Sequence, residues 1–398
     1  MSILSKSKQF IFIVLSLFLV VALYFITPTF FPSTFKNIIS VEGSIKSTST
    51  ETIIEEPKFI VTHIKTPKSV KGIYMSACVA ATPSFREKLV KIAKETEINS
   101  LVIDVKDYTG TITFSSDNPL FKDNLGSGCK VKDMKEFIGE LHDNNIYAIA
   151  RISSFQDKYL VSKRSDLAVK KESDGGIWKD YKGVSWLDAG SKEVWDYLVT
   201  LAKESYDIGF DELNFDYIRF PSDGNMKDIY YPFSEGKVKS EVMKEFFAYL
   251  DKNLSDIEGP ISADFFGMTM TNTDDLNIGQ ILENALPYFD YIAPMVYPSH
   301  YPSGFNGYKD VNAHAYDIVK FSMDKGVERA KIATSSPLKL RPWLQDNDYP
   351  VKYTPEMVRE QIQATYDSGL DSWMLWDAGN TYTVNALLPK NSSTTQEN

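Results

Sequence analysis

Eight short apolar runs recur along this 398-residue chain, and longer segments with one apolar face separate them. Short apolar runs predict buried strands, and longer amphipathic segments predict helices. Regular alternation of the two predicts parallel strands, because each parallel pair needs a crossover connection. The predicted strands are residues 72–75, 100–105, 146–152, 212–215, 261–266, 291–297, 331–334 and 372–376.

Eight strands with seven intervening helices favour an α/β fold of the (β/α)8 TIM-barrel type over an open, doubly wound sheet. The predicted helices are residues 82–96, 134–144, 192–206, 238–254, 275–286, 311–325 and the segment that opens at 354. The excess length over a typical barrel of about 250 residues lies in loops after strands, which build the active-site face of this fold.

The segment before the barrel has a different character. Residues 9–26 are uncharged and mostly apolar, which is long enough to span a bilayer. Lys6 and Lys8 precede them and predict a cytoplasmic N-terminus with the barrel outside the cell membrane. A cleaved signal peptide, and hence secretion, is the alternative, although no small-x-small cleavage site follows. The predicted domains are an anchor (1–30), a flexible linker (31–70), the barrel (71–388) and a disordered tail (389–398).

Composition narrows the classes of partner. The net charge of -10 argues against nucleic-acid binding, which normally requires a basic surface. No CxxC or HExxH motif occurs and only four histidines are present, so neither a metal nor another cofactor is expected. Export would permit a disulfide between Cys78 and Cys129, and two free buried thiols are the alternative.

Carboxylates occupy inward positions near the ends of three predicted strands. Strand side chains alternate between faces, so Asp104, Asp216 and Asp264 are predicted to point into the barrel, and Lys106 shares the face of Asp104. A buried charge costs several kcal/mol unless it is paired. The candidate partners are Lys106, Arg151 and Arg219.

Each of these positions also has a structural explanation. Asp264 could cap a helix, Asp104 and Lys106 could form an ion pair, and Arg219 could brace the loop that begins at Pro221. Three inward acids at strand ends nevertheless coincide with the face that carries the chemistry of such barrels. The coincidence favours a functional site, with Asp216 as its strongest member.

Aromatic residues follow the late strands and are predicted to lie at the barrel mouth. Tyr297 and His300 follow the sixth strand, Trp343 lies in the predicted loop after the seventh, and Trp376 with Asp377 ends the eighth. Aromatic faces there could stack on sugar rings. Core packing is the alternative, since large aromatic side chains are usually buried.

Several sequence stretches resemble a family of bacterial barrel domains classified as glycoside hydrolases. They are residues 186–221, "GIYMSA" (72–77), "LVIDVKDYTG" (101–110), "IAPMVYPSHY" (292–301) and "PLKLRPWLQD" (337–346). The resemblance covers residues 72–388 and implies a TIM barrel.

Two other families give fold-level analogies. In the α-amylase family the nucleophilic Asp ends strand four and the acid, a Glu, follows strand five; Asp216 and Asp264 occupy similar places. In the chitinase family, strand four reads Asp-x-x-Asp-x-Asp-x-Glu, and here Ile218 stands in place of the acidic Glu. Substrate-assisted chitinase chemistry is therefore not expected.

These patterns predict a membrane-anchored glycosidase that acts on an envelope or extracellular polysaccharide. Glycoside hydrolysis needs two carboxyl groups, and Asp216 is assigned as nucleophile or base and Asp264 as general acid. Residues predicted to bind substrate or tune the acids are Asp104, Lys106, Arg151, Arg219, Tyr297, His300, Trp343, Trp376 and Asp377. The alternatives are a non-catalytic carbohydrate-binding or envelope scaffold protein and a metal-dependent hydrolase that uses His300.

Overall fold

The computed structural model describes residues 60–124 and 129–390, and the barrel prediction is confirmed in them. Eight parallel strands pair in chain order and the eighth closes on the first. The predicted anchor, linker residues 31–59 and tail residues 391–398 lie outside the described part. Within that part, no helix is both long and apolar enough to cross a membrane.

The strands are short and the main helices follow them on the outside. The strands are β1 Lys71–Met75, β2 Ser100–Lys106, β3 Tyr147–Ser153, β4 Glu212–Asp216, β5 Ile261–Phe266, β6 Tyr291–Met295, β7 Trp343–Gln345 and β8 Trp373–Trp376. The α-helices are α1 Ala77–Ala80, α2 Pro83–Glu95, α3 Met134–Asp143, α4 Lys158–Lys163, α5 Lys192–Asp207, α6 Lys239–Asn253, α7 Leu282–Ala285, α8 Ala315–Ile332 and α9 Pro355–Asp367. Single 3-10 turns are Ser165–Leu167, Gly267–Met270, Pro298–His300, Phe305–Gly307, Asn312–His314, Pro337–Lys339 and Val384–Ala386.

Two apolar layers hold the barrel together. The outward side chains of the strands, such as Ile103 and Phe215, pack against the buried faces of the helices, for example Leu198 of α5. A smaller cluster that includes Val102 and Ile149 fills the barrel interior. Because both faces of the strands are buried, they read as nearly continuous apolar runs, and the polar residues among them stand out.

The predicted seventh strand is wrong. Residues 331–334 form the last turn of α8 and the residues just after it, and β7 lies further along the chain at Trp343–Gln345. A four-residue apolar run cannot be distinguished from a buried helix end by periodicity alone. The helix predicted over residues 275–286 is likewise reduced to α7, with an irregular segment before it.

The end of the predicted linker is part of the barrel. Val70 is fully buried, and its backbone N–H donates to Ser372 Oγ at 3.0 Å. The Ile64 N–H donates to Asp211 Oδ1 at 2.7 Å, just before β4. The irregular segment 60–70 is therefore held against the N-terminal ends of the strands, and the predicted boundary at residue 70 is too late.

The two cysteines form a disulfide. Cys78 of α1 is bonded to Cys129, which follows β2 by a long loop. Of the two alternatives that the sequence leaves open, this is the one the structure shows. The bond ties the loop after β2 to the segment after β1, on the side of the barrel where the strands end.

Candidate active site

A cavity of about 410 Å³ opens at the C-terminal ends of the strands. Residues from six strands reach it: Arg151 of β3, Asp216 of β4, Asp264 of β5, Met295 of β6, Trp343 of β7 and Trp376 of β8. Both predicted catalytic carboxylates thus lie in one cavity at the face where barrel enzymes carry their chemistry.

Arg151 joins the carboxylates of neighbouring strands. Its Nε donates to Asp216 Oδ2 at 3.1 Å, and Nη2 bonds the same oxygen. Its Nη1 donates to Asp104 Oδ1 at 2.5 Å. Burial alone would lower the pKa of Arg151, but the charges of Asp216 and Asp104 outweigh it and raise that pKa well above its usual value. The guanidinium therefore compensates two buried acids.

Asp216 is surrounded by donors. Besides Arg151, the backbone N–H of Tyr217 donates to its Oδ1 at 2.5 Å. Tyr217 holds φ at +49°, a left-handed conformation that large side chains rarely adopt. Such strain persists where surrounding structure enforces it and is common at functional sites. The tight turn after β4 thus points a backbone N–H at the Asp216 carboxylate.

Asp264 has the opposite character. Its Oδ1 accepts hydrogen bonds from Asn214 Nδ2 and Trp343 Nε1, both at 2.9 Å, and its Oδ2 lies 3.9 Å from Arg151 Nε. Burial and the charge of Asp216 raise the pKa of Asp264 to about 8, against the lowering effect of Arg151 and the two hydrogen bonds. Asp264 therefore retains its proton at neutral pH.

Asp104 supports Arg151 from behind. Its Oδ2 accepts a hydrogen bond of 2.5 Å from the hydroxyl of Tyr74, whose ring stacks on Trp376 with 4.2 Å between centroids. Burial raises the pKa of Asp104, in opposition to Arg151. Asp104 does not line the cavity, so its geometry favours positioning of Arg151 over direct contact with a ligand.

Lys106 points away from the cavity, and the prediction that it shares the inward face of Asp104 is wrong. The strand pairing shifts between these two residues, so that Lys106 pairs with Ile152 where Asp104 pairs with Arg151. The Lys106 ammonium lies 2.9 Å from Asp157 Oδ2 and 6.0 Å from the ring centroid of Tyr197 on α5. This irregularity turns the side chain toward the helices.

The predicted aromatic residues do meet at the cavity. Tyr297 lies 5.2 Å from His300 and 6.5 Å from Trp376 between ring centroids, and Trp343 meets Trp376 nearly at right angles. Trp343 is 1% exposed, so core packing describes most of its surface. Trp376 keeps part of its ring accessible in the cavity wall and is better placed to stack on a ligand.

Arg219 and Asp377 have different positions. Arg219 lines the cavity. Its Nη1 donates to the Phe220 carbonyl at 2.9 Å and to Ser222 Oγ at 3.2 Å. Arg219 therefore also braces the loop that begins at Pro221, as its structural explanation predicts. Asp377 accepts from the backbone N–H groups of Gly379 and Thr381 and does not line the cavity. Its contacts are those of a turn residue.

Three residues at or near the cavity were not predicted from the sequence. Tyr74 contacts Asp104 and Trp376 but does not line the cavity; it alternates with Ile73 and Met75 in β1, so the alternation rule that found Asp104 could have found it. Lys182 and Asp223 lie in long loops without periodicity, and nothing in the sequence places them at the cavity. Within residues 60–124 and 129–390 no group of three or more acidic, His or Cys side chains is arranged to hold a metal.

Comparison with known proteins assigns the family. Residues 72–382 match the model of the family described as "Putative glycosyl hydrolase domain". The chain belongs to this family. The match spans the barrel from β1 to the loop after β8, and it confirms the sequence prediction of a glycosidase-class enzyme. A search of curated proteins returns no match.

Two solved structures with TM-scores above 0.5 share the fold of this glycosyl hydrolase domain. The glycoside hydrolase domain of PgaB (BpsB) from Bordetella bronchiseptica is 12% identical with a TM-score of 0.57, over 79% of this chain and 95% of that one. Alpha-L-fucosidase isoenzyme 2 from Paenibacillus thiaminolyticus is 11% identical with a TM-score of 0.53, over 80% and 48%. A hypothetical protein from Ruminiclostridium thermocellum is 36% identical with a TM-score of 0.43, over 48% and 96%.

Proposed function

We propose that this protein is an exported, membrane-anchored glycosidase that hydrolyses an envelope or extracellular polysaccharide, with Asp264 as general acid and Asp216 as nucleophile. The observation that carries the proposal is the contrast between the two carboxyl groups. Asp216 accepts hydrogen bonds from Arg151 and from the Tyr217 N–H, while burial raises the pKa of Asp264 to about 8. Carboxyl pairs whose environments separate their pKa values are the pattern of acid and base assignment in such enzymes.

The separation of the two groups favours a nucleophile over a base that activates water. Oδ2 of Asp216 lies 3.1 Å and Oδ2 of Asp264 lies 3.9 Å from the same Arg151 Nε. The two oxygens therefore cannot be further apart than the total of these lengths. Retaining glycosidases hold their carboxyl groups about 5–5.5 Å apart, and inverting ones about 6.5–9.5 Å. The limit excludes most of the inverting range.

The reaction then proceeds in two steps. An Asp216 oxygen attacks the anomeric carbon while Asp264 gives its proton to the departing glycosidic oxygen, and a glycosyl ester with Asp216 forms. Asp264, now ionised, takes a proton from water as the water attacks the anomeric carbon and releases Asp216. Arg151 stabilises the carboxylate before attack and after release. Trp376 and Tyr297 offer ring faces to the sugar.

Membrane attachment is part of the same proposal and has separate support. The uncharged segment 9–26 follows Lys6 and Lys8, and the Cys78–Cys129 disulfide is typical of an oxidising compartment. We expect the protein in the membrane fraction of expressing bacteria, with the barrel digested by protease added to spheroplasts. A barrel protected from that protease would contradict export. A shortened protein in the medium would indicate signal cleavage instead.

The activity is tested on the full-length protein in mild detergent, incubated with a panel of bacterial wall polysaccharides and exopolysaccharides. Mass spectrometry of released oligosaccharides compares the wild type with Asp216→Asn and Asp264→Asn, and with Asp166→Asn, an exposed acid far from the cavity, as control. The proposal expects release by the wild type and the control and loss by both site variants. Retention of a glycan by every variant without any release would favour the binding or scaffold alternative.

A further inference from the structure

Arg219 carries a buried charge, and no acidic side chain among the described residues forms an ion pair with it. Its side chain is 7% exposed, and its guanidinium carbon lies 5.0 Å from the ring centroid of Trp186, 5.5 Å from that of Tyr217 and 4.6 Å from that of Phe266. In the described part of the chain no carboxylate oxygen lies within 4.0 Å of it, whereas Arg151 has two bonded carboxylates. A buried cation without a counter-ion is costly, so the fold must gain something else from it.

The donors of Arg219 are only partly used. Nη1 donates to the Phe220 carbonyl and to Ser222 Oγ. Nε and Nη2 have no acceptor among residues 60–124 and 129–390, although a guanidinium offers five N–H donors in a planar fork. Arg219 and Ser222 both line the cavity. The unused donors therefore belong to a side chain at the wall of the proposed active site, within reach of a bound ligand.

The surroundings of Arg219 add positive charge. Lys182 lines the same cavity, and no carboxylate of the described residues lies within ion-pair distance of it. His300 lines the cavity too, and burial and the charge of Lys182 lower its pKa, so the imidazole is a neutral hydrogen-bonding group at pH 7. Asp223 lines the same cavity, and its Oδ1 accepts from the Tyr181 N–H at 3.3 Å. The charges of Asp216 and Asp223 act on Arg219 from a distance, but among the described residues neither carboxylate forms an ion pair with it.

We propose that Arg219, Ser222 and Lys182 form a subsite for the anionic group of an acidic sugar, a carboxylate or a phosphate, in the glycan that the enzyme cleaves. This inference rests on the proposed function and names the class of its substrate. A guanidinium fork matches the two oxygens of such groups, and charge-assisted pairs of this kind are the strong ones. A neutral sugar would leave the buried donors of Arg219 unpaired, which discriminates against it.

Equilibrium binding tests the subsite without turnover. The full-length protein in detergent is titrated calorimetrically with methyl β-D-glucuronide, glucose 6-phosphate and neutral methyl β-D-glucoside. We expect one of the two anionic probes to bind about 10- to 100-fold more tightly than the neutral one, the range that a charged hydrogen-bonded pair supplies. Which anionic probe wins distinguishes a carboxylate from a phosphate.

Three variants separate recognition from loop bracing. Arg219→Gln should abolish the preference for the anion, and Arg219→Lys should retain part of it because the charge remains while the fork is lost. Ser222→Ala removes one hydroxyl of the subsite but keeps the guanidinium, so it should reduce the preference less than Arg219→Gln does. Lys182→Gln should reduce both the preference for the anion and the dependence of that preference on salt. Because Lys182 is exposed, this variant tests the subsite even if Arg219→Gln does not fold.

Equal binding of acidic and neutral probes by the wild type, or a preference unchanged in Arg219→Gln, would overturn the subsite. The failure of the two proposals can be told apart. If the protein prefers anionic sugars but releases nothing from any glycan, the subsite is supported and the glycosidase activity is contradicted. If it cleaves neutral glycans and shows no preference in the titrations, the glycosidase activity is supported and the subsite is contradicted.

Discussion

The indole Nε1 of Trp343 donates a hydrogen bond of 2.9 Å to Oδ1 of Asp264. The bond crosses the barrel interior from β7 to β5, and Trp343 is almost completely buried. It acts on the ionised form of Asp264 and lowers the pKa of that group against the larger effects of burial and of Asp216. Trp343 is therefore a positioning residue that sets how acidic the proposed general acid is.

Trp343→Phe should raise the pKa of Asp264 above about 8, because the donor that stabilises its carboxylate is lost. The basic limb of the kcat/KM profile, which reports the proton of the general acid in the free enzyme, should move to higher pH. Trp373→Phe is the matched control: Trp373 is also buried, but its Nε1 donates to Tyr366 Oη at 3.0 Å, outside the site. A shift of equal size in both variants would contradict the role of Trp343.

Asp264→Asn should remove a pH dependence of stability. The folded pKa of about 8 lies above the unfolded value of about 4, so the folded state holds the proton more tightly. The stability this gives is complete below pH 4 and is lost as the pH rises toward 8. Relative to the wild type, the variant should gain a few kcal/mol in free energy of unfolding between pH 4.5 and 8.5, at about 1.4 kcal/mol per pKa unit. Parallel melting temperatures of the two proteins across that range would refute the assignment.

The same variant should lose activity in a way that depends on the leaving group. Removal of a general acid typically costs about 10²–10⁴-fold in rate. Aryl glycosides whose phenolate departs without a proton should be cleaved at nearly the wild-type rate in the first step. The comparison is a set of such substrates graded by phenol pKa, measured for kcat/KM. A loss that is the same across the set would indicate that Asp264 is not the acid.

Arg151→Met should destabilise the fold strongly. Its removal leaves Asp104 and Asp216 buried without their cation, and breaking a buried ion pair from one side costs about 3–5 kcal/mol. Arg164→Met is the control, because Arg164 pairs with Asp166 and Glu193 at an exposed position, where such pairs contribute about 1 kcal/mol or less. Thermal unfolding measures both. Similar changes in melting temperature would show that Arg151 does not neutralise the two acids.

Loss of the disulfide should lower the free energy of unfolding without altering the residues of the candidate active site. Cys78 and Cys129 are 51 residues apart, and a bond that closes such a loop typically contributes about 2–4 kcal/mol. The double variant Cys78→Ser and Cys129→Ser should melt at a lower temperature than the wild type, and reductant should lower the wild type to the same value. Thiol labelling of the unreduced native chain should find no free cysteine. Two labelled thiols would contradict the bond.

The barrel could be predicted from the sequence because seven of its strands have four or more residues and alternate regularly with helices. β7 was not predicted, and the reason is physical. It has three residues, it carries the polar Gln345, and Trp343 pairs with Met295 at the only registered position along β6. A strand so short is specified by its neighbours in the closed barrel and not by its own pattern.

The candidate site was predictable wherever side-chain alternation held. Asp216, Asp264 and Arg151 meet as the period of two requires. The prediction for Lys106 was wrong because an irregularity in β2 turns its side chain to the other face of the strand. Nothing in the sequence indicates that irregularity. The sequence predicted that Arg219 belongs to the site. It could not predict that Arg219 lacks an ion pair among the described residues, because that depends on which loop residues surround the side chain. Lys182 and Asp223 come from those loops and could be placed only by the structure.

The most direct test of the account is a titration of the Asp264 carboxyl group itself. The full-length protein is labelled with γ-carbon-13 aspartate, its carboxyl resonances are followed by NMR from pH 4 to 9.5, and the resonance absent from Asp264→Asn is assigned to Asp264. We expect a midpoint near pH 8 for this resonance. An Asp264 midpoint below pH 5 would contradict the assignment of Asp264 as a proton donor at neutral pH.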